Sequence, residues 1–216
     1  MASEPLNRRI GLFDSDCLEL AVEGGQRSGV LPDFSFRERI RPQAAKLDAL
    51  YALAKEHDLT LVFTQCCSSR PVTPGAHPDV LVVPRDPSDQ SWAEQVGRYR
   101  LINIEKVYDA PLTESFICRH FDTFQHNPNA RRLFELLDIP KWVVFGHGFD
   151  LCVDSSVKGI LASGYRAHIL TDVLAPSASG YGPYGTEESG RSILEYLERI
   201  GVTTGSLGEF LDAPDA

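Results

Sequence analysis

The chain has 216 residues, with 21 Lys and Arg against 30 Asp and Glu, which gives a formal net charge of −9. This length suits one α/β domain with a substantial core, and the acidic balance argues against nucleic acid or an anionic membrane surface as partner. No apolar run approaches the roughly 20 residues that span a bilayer. The N-terminus lacks the apolar stretch of a secretory signal, and five cysteines form an odd count without a CxxC pair. We therefore expect a cytoplasmic protein with free thiols.

Apolar runs that suit strands alternate with helical patterns along the chain. We predict strands over residues 9–13, 59–63, 80–83, 101–104, 142–145 and 167–170, and helices over 42–57, 88–96, 130–137, 151–163, 187–200 and 206–211. This order predicts a parallel sheet covered on both faces. The expected fold is a single domain over residues 1–216, a three-layer α/β/α sandwich with a mostly parallel, Rossmann-like sheet of about six strands.

The fifth predicted strand and the helix after it meet at a candidate nucleophile. The strand breaks at Gly146-His147-Gly148, and Asp150 is the predicted N-cap of the helix, so Cys152 falls in its first turn. The positive end of the helix dipole and the unpaired backbone N–H groups there favour a thiolate. Most free cysteines are instead small buried core residues. The local pattern leaves both interpretations open.

Other candidate site residues follow from position in the predicted sheet. Asp14 follows the first strand, at the sheet edge where open parallel sheets bind ligands, although a loop or capping role is as plausible from the pattern. Tyr181 and Tyr184 lie in a Gly- and Pro-rich loop, and Phe149 adjoins the candidate nucleophile. These aromatic residues predict a flat or apolar substrate pocket. The alternative is that they only pack against neighbouring side chains.

Together these residues resemble the isochorismatase-like cysteine hydrolases, which include nicotinamidases and other small-amide hydrolases. The similarity is strongest from Gly146 to Asp172, where a glycine, a Cys-Val pair, a second glycine and a Thr-Asp pair recur in the family's order. The matching positions are Asp14, Phe121-Asp122-Thr123-Phe124, Gly146, Cys152-Val153, Gly164, Thr171-Asp172 and Val202-Thr203-Thr204.

The resemblance implies a reaction and assigns roles to residues. Cys152 would attack the carbonyl carbon of a small amide or ureide, and Asp14 would take the thiol proton and pass it to the departing ammonia or amine. The backbone N–H groups of Gly148 and Cys152 would form the oxyanion hole. In relatives the peptide at the position of His147–Gly148 is cis. The family also implies a homo-oligomer, and we expect no cofactor.

The family's catalytic lysine is not at its expected distance. Counting back from Asp122 reaches Cys118, and the neighbouring Arg119 carries a charge but cannot shuttle a proton. Lys106 fits the lysine position if the residues between are an insertion. We favour Lys106. A site without lysine remains the alternative, and it would make the protein a catalytically impaired binder of small molecules.

Metal and dinucleotide sites are weaker alternatives. Nicotinamidases hold a metal through D-x-H, but Cys66 and Ser68 stand at the corresponding positions here. Cys66, Cys67 and His77 have suitable donor atoms for zinc, yet adjacent cysteines rarely face one ion and no fourth ligand is evident, so we expect no metal. Dinucleotide binding fails because Leu151 stands at the third glycine of G-x-G-x-x-G.

Overall fold

A single parallel sheet forms the centre of the protein. The computed structural model describes residues 6–18, 41–64, 78–106, 122–175 and 186–213. The strands are β1 (Ile10–Ser15), β2 (Leu61–Thr64), β3 (Val80–Val83), β4 (Leu101–Ile104), β5 (Lys141–His147), β6 (Arg166–Ala175) and β7 (Thr203–Gly205). They are arranged as β3-β4-β2-β1-β5-β6-β7, with all neighbours parallel. The predicted α/β fold is confirmed, with seven strands among the described residues instead of the expected six or so. The additional strand, β7, has three residues, too few to show a periodic pattern.

Helices cover both faces of the sheet. They are α1 (Leu6–Arg9), α2 (Ala44–Glu56), α3 (Thr123–His126), α4 (Asn129–Leu137), α5 (Asp154–Ala162), α6 (Glu187–Arg199) and α7 (Leu207–Asp212). A core that contains Leu50 and Phe210 joins α2 and α7 to one face. A second core, with Phe134, Val157 and Leu197, joins α4, α5 and α6 to the other. Burial of these apolar stripes is the main stabilising contribution to the three layers.

The segment predicted as a helix over residues 88–96 forms less regular structure. Asp86 accepts hydrogen bonds from the backbone and hydroxyl of Ser88, and Asp89 does the same for Ser91. These local bonds compete with helix formation. Only a 3₁₀ helix follows, over Ala93–Arg98.

Side chains of β1 alternate between the two cores. Phe13 belongs to the core beneath α4 and α5, whereas Ile10 and Leu12 belong to the core beneath α2. Because side chains alternate with period two along a strand, Asp14 lies on the α2 face with Leu12. This assignment determines which neighbours the carboxylate of Asp14 meets.

Within the described ranges, none of the helices combines the length and the apolar character that a membrane crossing requires.

Candidate active site

Three segments meet at the carboxyl edge of the sheet. Asp16 directly follows β1, Lys106 lies two residues beyond β4, and Cys152 lies in the turn that follows β5. The strands that carry them are close together in the order β4-β2-β1-β5. Loops at this edge are where open parallel sheets place ligand-binding groups.

Asp16 and Lys106 form a buried ion pair. Lys106 Nζ lies 2.8 Å from each carboxylate oxygen of Asp16, and their side chains are 1% and 2% exposed. Thr64 Oγ1 donates to Asp16 Oδ1 at 2.8 Å, and the Cys152 side chain is also hydrogen-bonded to this carboxylate. Burial opposes ionisation of Asp16, but the Lys106 charge and these hydrogen bonds outweigh it and lower the pKa of the carboxyl. Asp16 is therefore ionised while it contacts both the ammonium and the thiol.

The turn that carries Cys152 depends on glycine. Phe149–Val153 form one π-helical turn before α5, and Gly148 precedes it with φ 70°. A Cβ atom at Gly148 would lie 3.3 Å from Cys152 Sγ, so glycine leaves the sulfur uncrowded on this side. Gly146 has φ 132°, and a Cβ atom there would overlap the carbonyl oxygen of Ser15. Both positions adopt conformations that L-residues rarely take.

Asp150 is not the N-cap that the sequence predicts. The turn begins at Gly148 without a side-chain cap, and Asp150 is buried and accepts a hydrogen bond from Ser189 Oγ at 3.0 Å. Ser189 also completes the capping box of α6 with Thr186. Asp150 thus ties the π-helical turn Phe149–Val153 to α6, a contact 39 residues distant in the chain.

Asp14 lies in a different environment from Asp16. Tyr51 donates its hydroxyl to Asp14 Oδ2 at 2.7 Å, and the Cys17 backbone N–H donates to Oδ1 at 3.0 Å. Burial is the dominant effect on this carboxyl. It raises the pKa of Asp14 to about 7, against the lowering effect of the bonds from Tyr51 and Cys17. The predicted role of Asp14 as proton acceptor stays a prediction.

Comparison with known proteins identifies the architecture. Neither a protein-family model nor a curated protein matches the sequence, but solved structures share its fold. An isochorismatase family protein from Desulfovibrio vulgaris is similar with TM-score 0.56 and 13% identity, over 97% of this chain and 100% of that one. The chain has the isochorismatase-like hydrolase fold.

Two further structures with this fold have more specific names. A pyrazinamidase of Pyrococcus horikoshii in complex with zinc has TM-score 0.54 and 12% identity, over 92% of this chain and 99% of its own. A cysteine hydrolase from Pseudomonas syringae has TM-score 0.52 and 14% identity, over 97% and 93% of the two chains. At these identities the likeness establishes the fold alone.

Several predicted residues of the isochorismatase-like site lie outside the described residues. These are the candidate substrate-binding residues Cys118, Arg119, Tyr181 and Tyr184, and the alternative metal ligands Cys66, Cys67 and His77. His147 and Phe149 are described, and both are buried on either side of Gly148. In the described part of the chain, no three His, Cys, Asp or Glu residues are grouped to hold a metal ion.

The His147–Gly148 peptide differs from the expectation that relatives suggest. No peptide among the described residues is cis, so this bond is trans. The chain instead turns through the left-handed conformation of Gly148 before it enters the π-helical turn.

Two motifs of the isochorismatase-like pattern have structural roles. Asp122 caps α3 by accepting hydrogen bonds from Phe124 and Gln125. The ring of Phe124 fills the space that a side chain at Gly159 would need. Asp172 accepts hydrogen bonds from Lys46 Nζ at 2.9 Å and from the Leu207 backbone at 2.8 Å, which joins α2, β6 and α7.

Sequence reasoning missed Asp16 and Thr64. The sequence Asp14-Ser15-Asp16 contains two carboxylates. Alternation of side chains along β1 could have indicated that Asp14 faces α2. Asp16 escapes the alternation because its φ of 65° ends the strand in a left-handed turn. Such a conformation is uncommon for a non-glycine residue and often marks a functional site.

A cavity of about 900 Å³ lies on the α2 face of the sheet, with Tyr51, Lys55, Arg98 and Leu101 among its lining residues. Asp16, Lys106 and Cys152 do not line it. Volume alone would place a ligand there, but none of the three chemically coupled side chains faces that space. We therefore base the functional assignment on the contacts of Asp16.

Proposed function

We propose that the protein is a member of the isochorismatase-like cysteine hydrolases and cleaves a C–N bond of a small amide or ureide, without a metal ion. Cys152 is the nucleophile, and Lys106 is the cation of the site. Asp16, which is hydrogen-bonded to Cys152, exchanges protons with the sulfur in place of Asp14, to which the resemblance gives that role. The contact of Asp16 with both Lys106 and Cys152 is the observation that supports this proposal most strongly. A thiol beside a carboxylate that can accept its proton, with an ammonium next to that carboxylate, supplies the groups that acyl transfer through a cysteine nucleophile uses.

The first half-reaction uses each of the three groups. Asp16 accepts the thiol proton as the Cys152 sulfur attacks the substrate carbonyl carbon, and the carbonyl π pair moves onto oxygen. Backbone N–H groups at Gly148 and Cys152 are the proposed donors to that oxygen. As the carbonyl re-forms, the C–N bond breaks and Asp16 returns the proton to the departing nitrogen. Ammonia or an amine leaves, and a thioester on Cys152 remains.

The second half-reaction restores the enzyme. Asp16 takes a proton from a water molecule that attacks the thioester carbonyl. Collapse of the tetrahedral adduct breaks the C–S bond, and the proton passes from Asp16 to the sulfur. One amide and one water are consumed, and one acid and one amine are released.

Electrostatics explain why a lysine suits a position beside Cys152 and Asp16. Proton transfer from Cys152 to Asp16 moves a negative charge from the carboxylate to the sulfur without changing the net charge of the site. Lys106 stabilises the charge in either position, and burial strengthens that attraction relative to water. The low pKa of Asp16 makes the transfer unfavourable at rest. Attack on a carbonyl carbon removes the charge from the sulfur, so the transfer is completed when substrate is bound.

The alternative of a non-catalytic binding protein rested on the apparent loss of the lysine. Lys106 Nζ lies 2.8 Å from Asp16, and this contact supports the catalytic hypothesis over the alternative. A homo-oligomer in the cytoplasm remains our expectation for the state and location of the protein.

Ammonia release from simple amides tests the proposal. Pyrazinamide is the first substrate to try because a neighbour in fold is a pyrazinamidase, and nicotinamide is included because another is a pyrazinamidase/nicotinamidase. We expect ammonia release by the wild type and, after rapid acid quenching, an acyl adduct on the peptide that contains Cys152. Cys152→Ala should show neither.

Iodoacetamide alkylation provides a test that needs no substrate. The proposal predicts that Cys152 is alkylated at least about 10²-fold faster than Cys17 at pH 7.5, as judged by peptide mass spectrometry. Equal alkylation of the two buried cysteines would contradict a nucleophilic role for Cys152. Ammonia release that persists in Cys152→Ala would do the same.

A further inference from the structure

We infer that Asp14 and Tyr51 are positioning residues that hold Asp16 against Lys106 and Cys152. This inference rests on the function proposed above and adds two residues to it. It assigns Asp14 a different task from the proton transfer that its place at the end of β1 suggests. Tyr51 had no predicted role in the chemistry.

The contacts of Asp14 are those of a residue that holds a turn. One oxygen accepts the Cys17 backbone N–H at 3.0 Å, which closes a turn around Asp16. The other oxygen accepts the Tyr51 hydroxyl at 2.7 Å, which fixes the carboxylate from α2. Both oxygens of Asp14 therefore accept hydrogen bonds, one from the turn after β1 and one from α2.

Asp16 needs such support because its backbone is strained. A φ of 65° is unfavourable for a residue with a side chain, and it is this conformation that turns the carboxylate out of the strand's alternation. A hydrogen bond from the Asp16 backbone N–H to the Thr64 carbonyl, at 3.2 Å, fixes the turn from β2. On the other side of Asp16, Asp14 fixes the turn by accepting the backbone N–H of Cys17. The turn is thus held on both sides of Asp16.

The hydrogen-bonded residues Asp14, Cys17 and Tyr51 also connect to the segment that leads into the π-helical turn Phe149–Val153. The backbone N–H of His147 is hydrogen-bonded to the Cys17 sulfur, and Gly148, the next residue, lies against Cys152 Sγ. Cys17 thus connects the turn after β1 to the turn after β5. Movement of the Asp14–Cys17 turn would disturb both partners of the proton transfer.

Conservative and non-conservative variants of Asp14 separate positioning from proton transfer. Asp14→Asn keeps an oxygen that accepts the Cys17 N–H but cannot accept a proton as a base. Asp14→Ala removes the acceptor. We expect iodoacetamide to alkylate Cys152 in Asp14→Asn within about threefold of the wild-type rate, and in Asp14→Ala at least about tenfold more slowly. Tyr51→Phe, which loses only the hydroxyl, should lie between them.

Amide hydrogen exchange at Cys17 is the second measurement, and it does not depend on catalysis. Exchange should accelerate at least about tenfold in Asp14→Ala and remain near the wild-type rate in Asp14→Asn, with Tyr51→Phe again intermediate. Asp14→Asn and Tyr51→Phe retain the shape of the native side chains. Alkylation and exchange can therefore be measured in these two variants even if Asp14→Ala does not fold.

The outcomes distinguish this inference from the proposed function. If wild-type Cys152 is alkylated rapidly and Asp14→Asn is as slow as Asp14→Ala, Asp14 transfers the proton and the positioning role is overturned. If neither Asp14 variant nor Tyr51→Phe changes alkylation or exchange, the positioning role is overturned as well. If wild-type Cys152 is alkylated no faster than Cys17, the proposed function fails and the inference fails with it.

Discussion

Asp14 and Asp16 are two residues apart and equally enclosed, yet their pKa values move in opposite directions. Burial raises the pKa of Asp14 to about 7, and its partners are neutral groups on Tyr51 and Cys17. Burial also opposes ionisation of Asp16, but the Lys106 ammonium reverses the balance and lowers the pKa. The comparison shows that the partner, more than the depth of burial, determines whether an enclosed carboxyl is charged. The charged Asp16 is suited to electrostatic interaction with Lys106 and Cys152, whereas Asp14, bonded to neutral groups, is suited to holding a turn.

The two thiols extend this comparison and provide the largest expected effect. Cys152 is hydrogen-bonded to Asp16, whereas Cys17 lies beside Asp14 and has a pKa that burial and the two nearby carboxylates raise. Cys152→Ala should reduce amide hydrolysis by roughly 10⁴-fold or more, as loss of a nucleophile does in other hydrolases. Cys17→Ala should reduce it by about tenfold or less. Steady-state ammonia release measures the loss of activity in both variants. Equal losses would show that Cys152 and Cys17 do not differ in role.

Removing the cation should affect stability next most strongly. Lys106→Met leaves the Asp16 carboxylate buried without its counter-charge, and breaking a buried pair in this way costs about 3–5 kcal/mol. Lys158→Met is a control, because the Lys158 side chain is 44% exposed and its partner Asp154, 15% exposed, is four residues away on α5, and an i,i+4 helix pair contributes about 0.3–0.5 kcal/mol. Urea denaturation measures both.

The double variant Asp16→Asn/Lys106→Met completes the cycle for this pair. It should be more stable than Lys106→Met alone, because no charge is then left buried at this position. A cost below about 1 kcal/mol for Lys106→Met would show that the pair contributes little to the folded state.

The pH dependence of stability should reveal the raised pKa of Asp14. A carboxyl whose pKa rises from 3.8 to about 7 on folding retains its proton in the folded state when the unfolded state has lost it. Its stabilising contribution is present at low pH and is lost as the pH rises through about 7. The free energy of unfolding of the wild type, relative to Asp14→Asn, should therefore fall by about 2.5 kcal/mol between pH 5 and pH 8. A constant difference, measured by urea denaturation at several pH values, would show that Asp14 does not titrate in this range.

Two glycine variants should show the smallest effects, and they test the turn that carries Cys152. Gly148 and Gly164 both have positive φ, at 70° and 88°, but only Gly148 adjoins Cys152, and a Cβ atom at Gly164 meets no atom within 4 Å. Replacement of each by alanine should cost about 1 kcal/mol through backbone strain. Gly148→Ala alone should also slow alkylation of Cys152 several-fold. Thermal denaturation measures the loss of stability, and iodoacetamide kinetics measure the alkylation of Cys152. Equal alkylation rates in Gly148→Ala and Gly164→Ala would mean that the turn tolerates the added methyl group.

Local patterns were sufficient to predict most of the fold. Apolar runs marked the strands, and the predicted ranges 80–83 and 101–104 coincide with β3 and β4. The stripe of Leu47, Leu50 and Ala54 on α2 is buried. These features depend on residues close together in the chain, so periodicity reveals them. The short edge strand β7 has no such periodicity.

The site was less accessible to sequence reasoning. A thiol after a buried strand pointed to Cys152, and resemblance to the family's lysine motif, with an insertion, pointed to Lys106. Asp16 could not be chosen over Asp14 because a left-handed turn at one aspartate decides which carboxylate faces the lysine. The partner of Asp150 was equally hidden, since Ser189 approaches it only in the folded chain. Long-range contacts and local strain, not residue type, determine these details.

The rate at which iodoacetamide alkylates Cys152, in the wild type and in Lys106→Met, tests the account most directly. Lys106 stabilises negative charge on the carboxylate or on the sulfur, so we predict that Lys106→Met is alkylated at least about tenfold more slowly at pH 7.5, while Lys158→Met matches the wild type. An unchanged rate in Lys106→Met, with the variant folded, would contradict the claim that a buried ion pair activates this thiol.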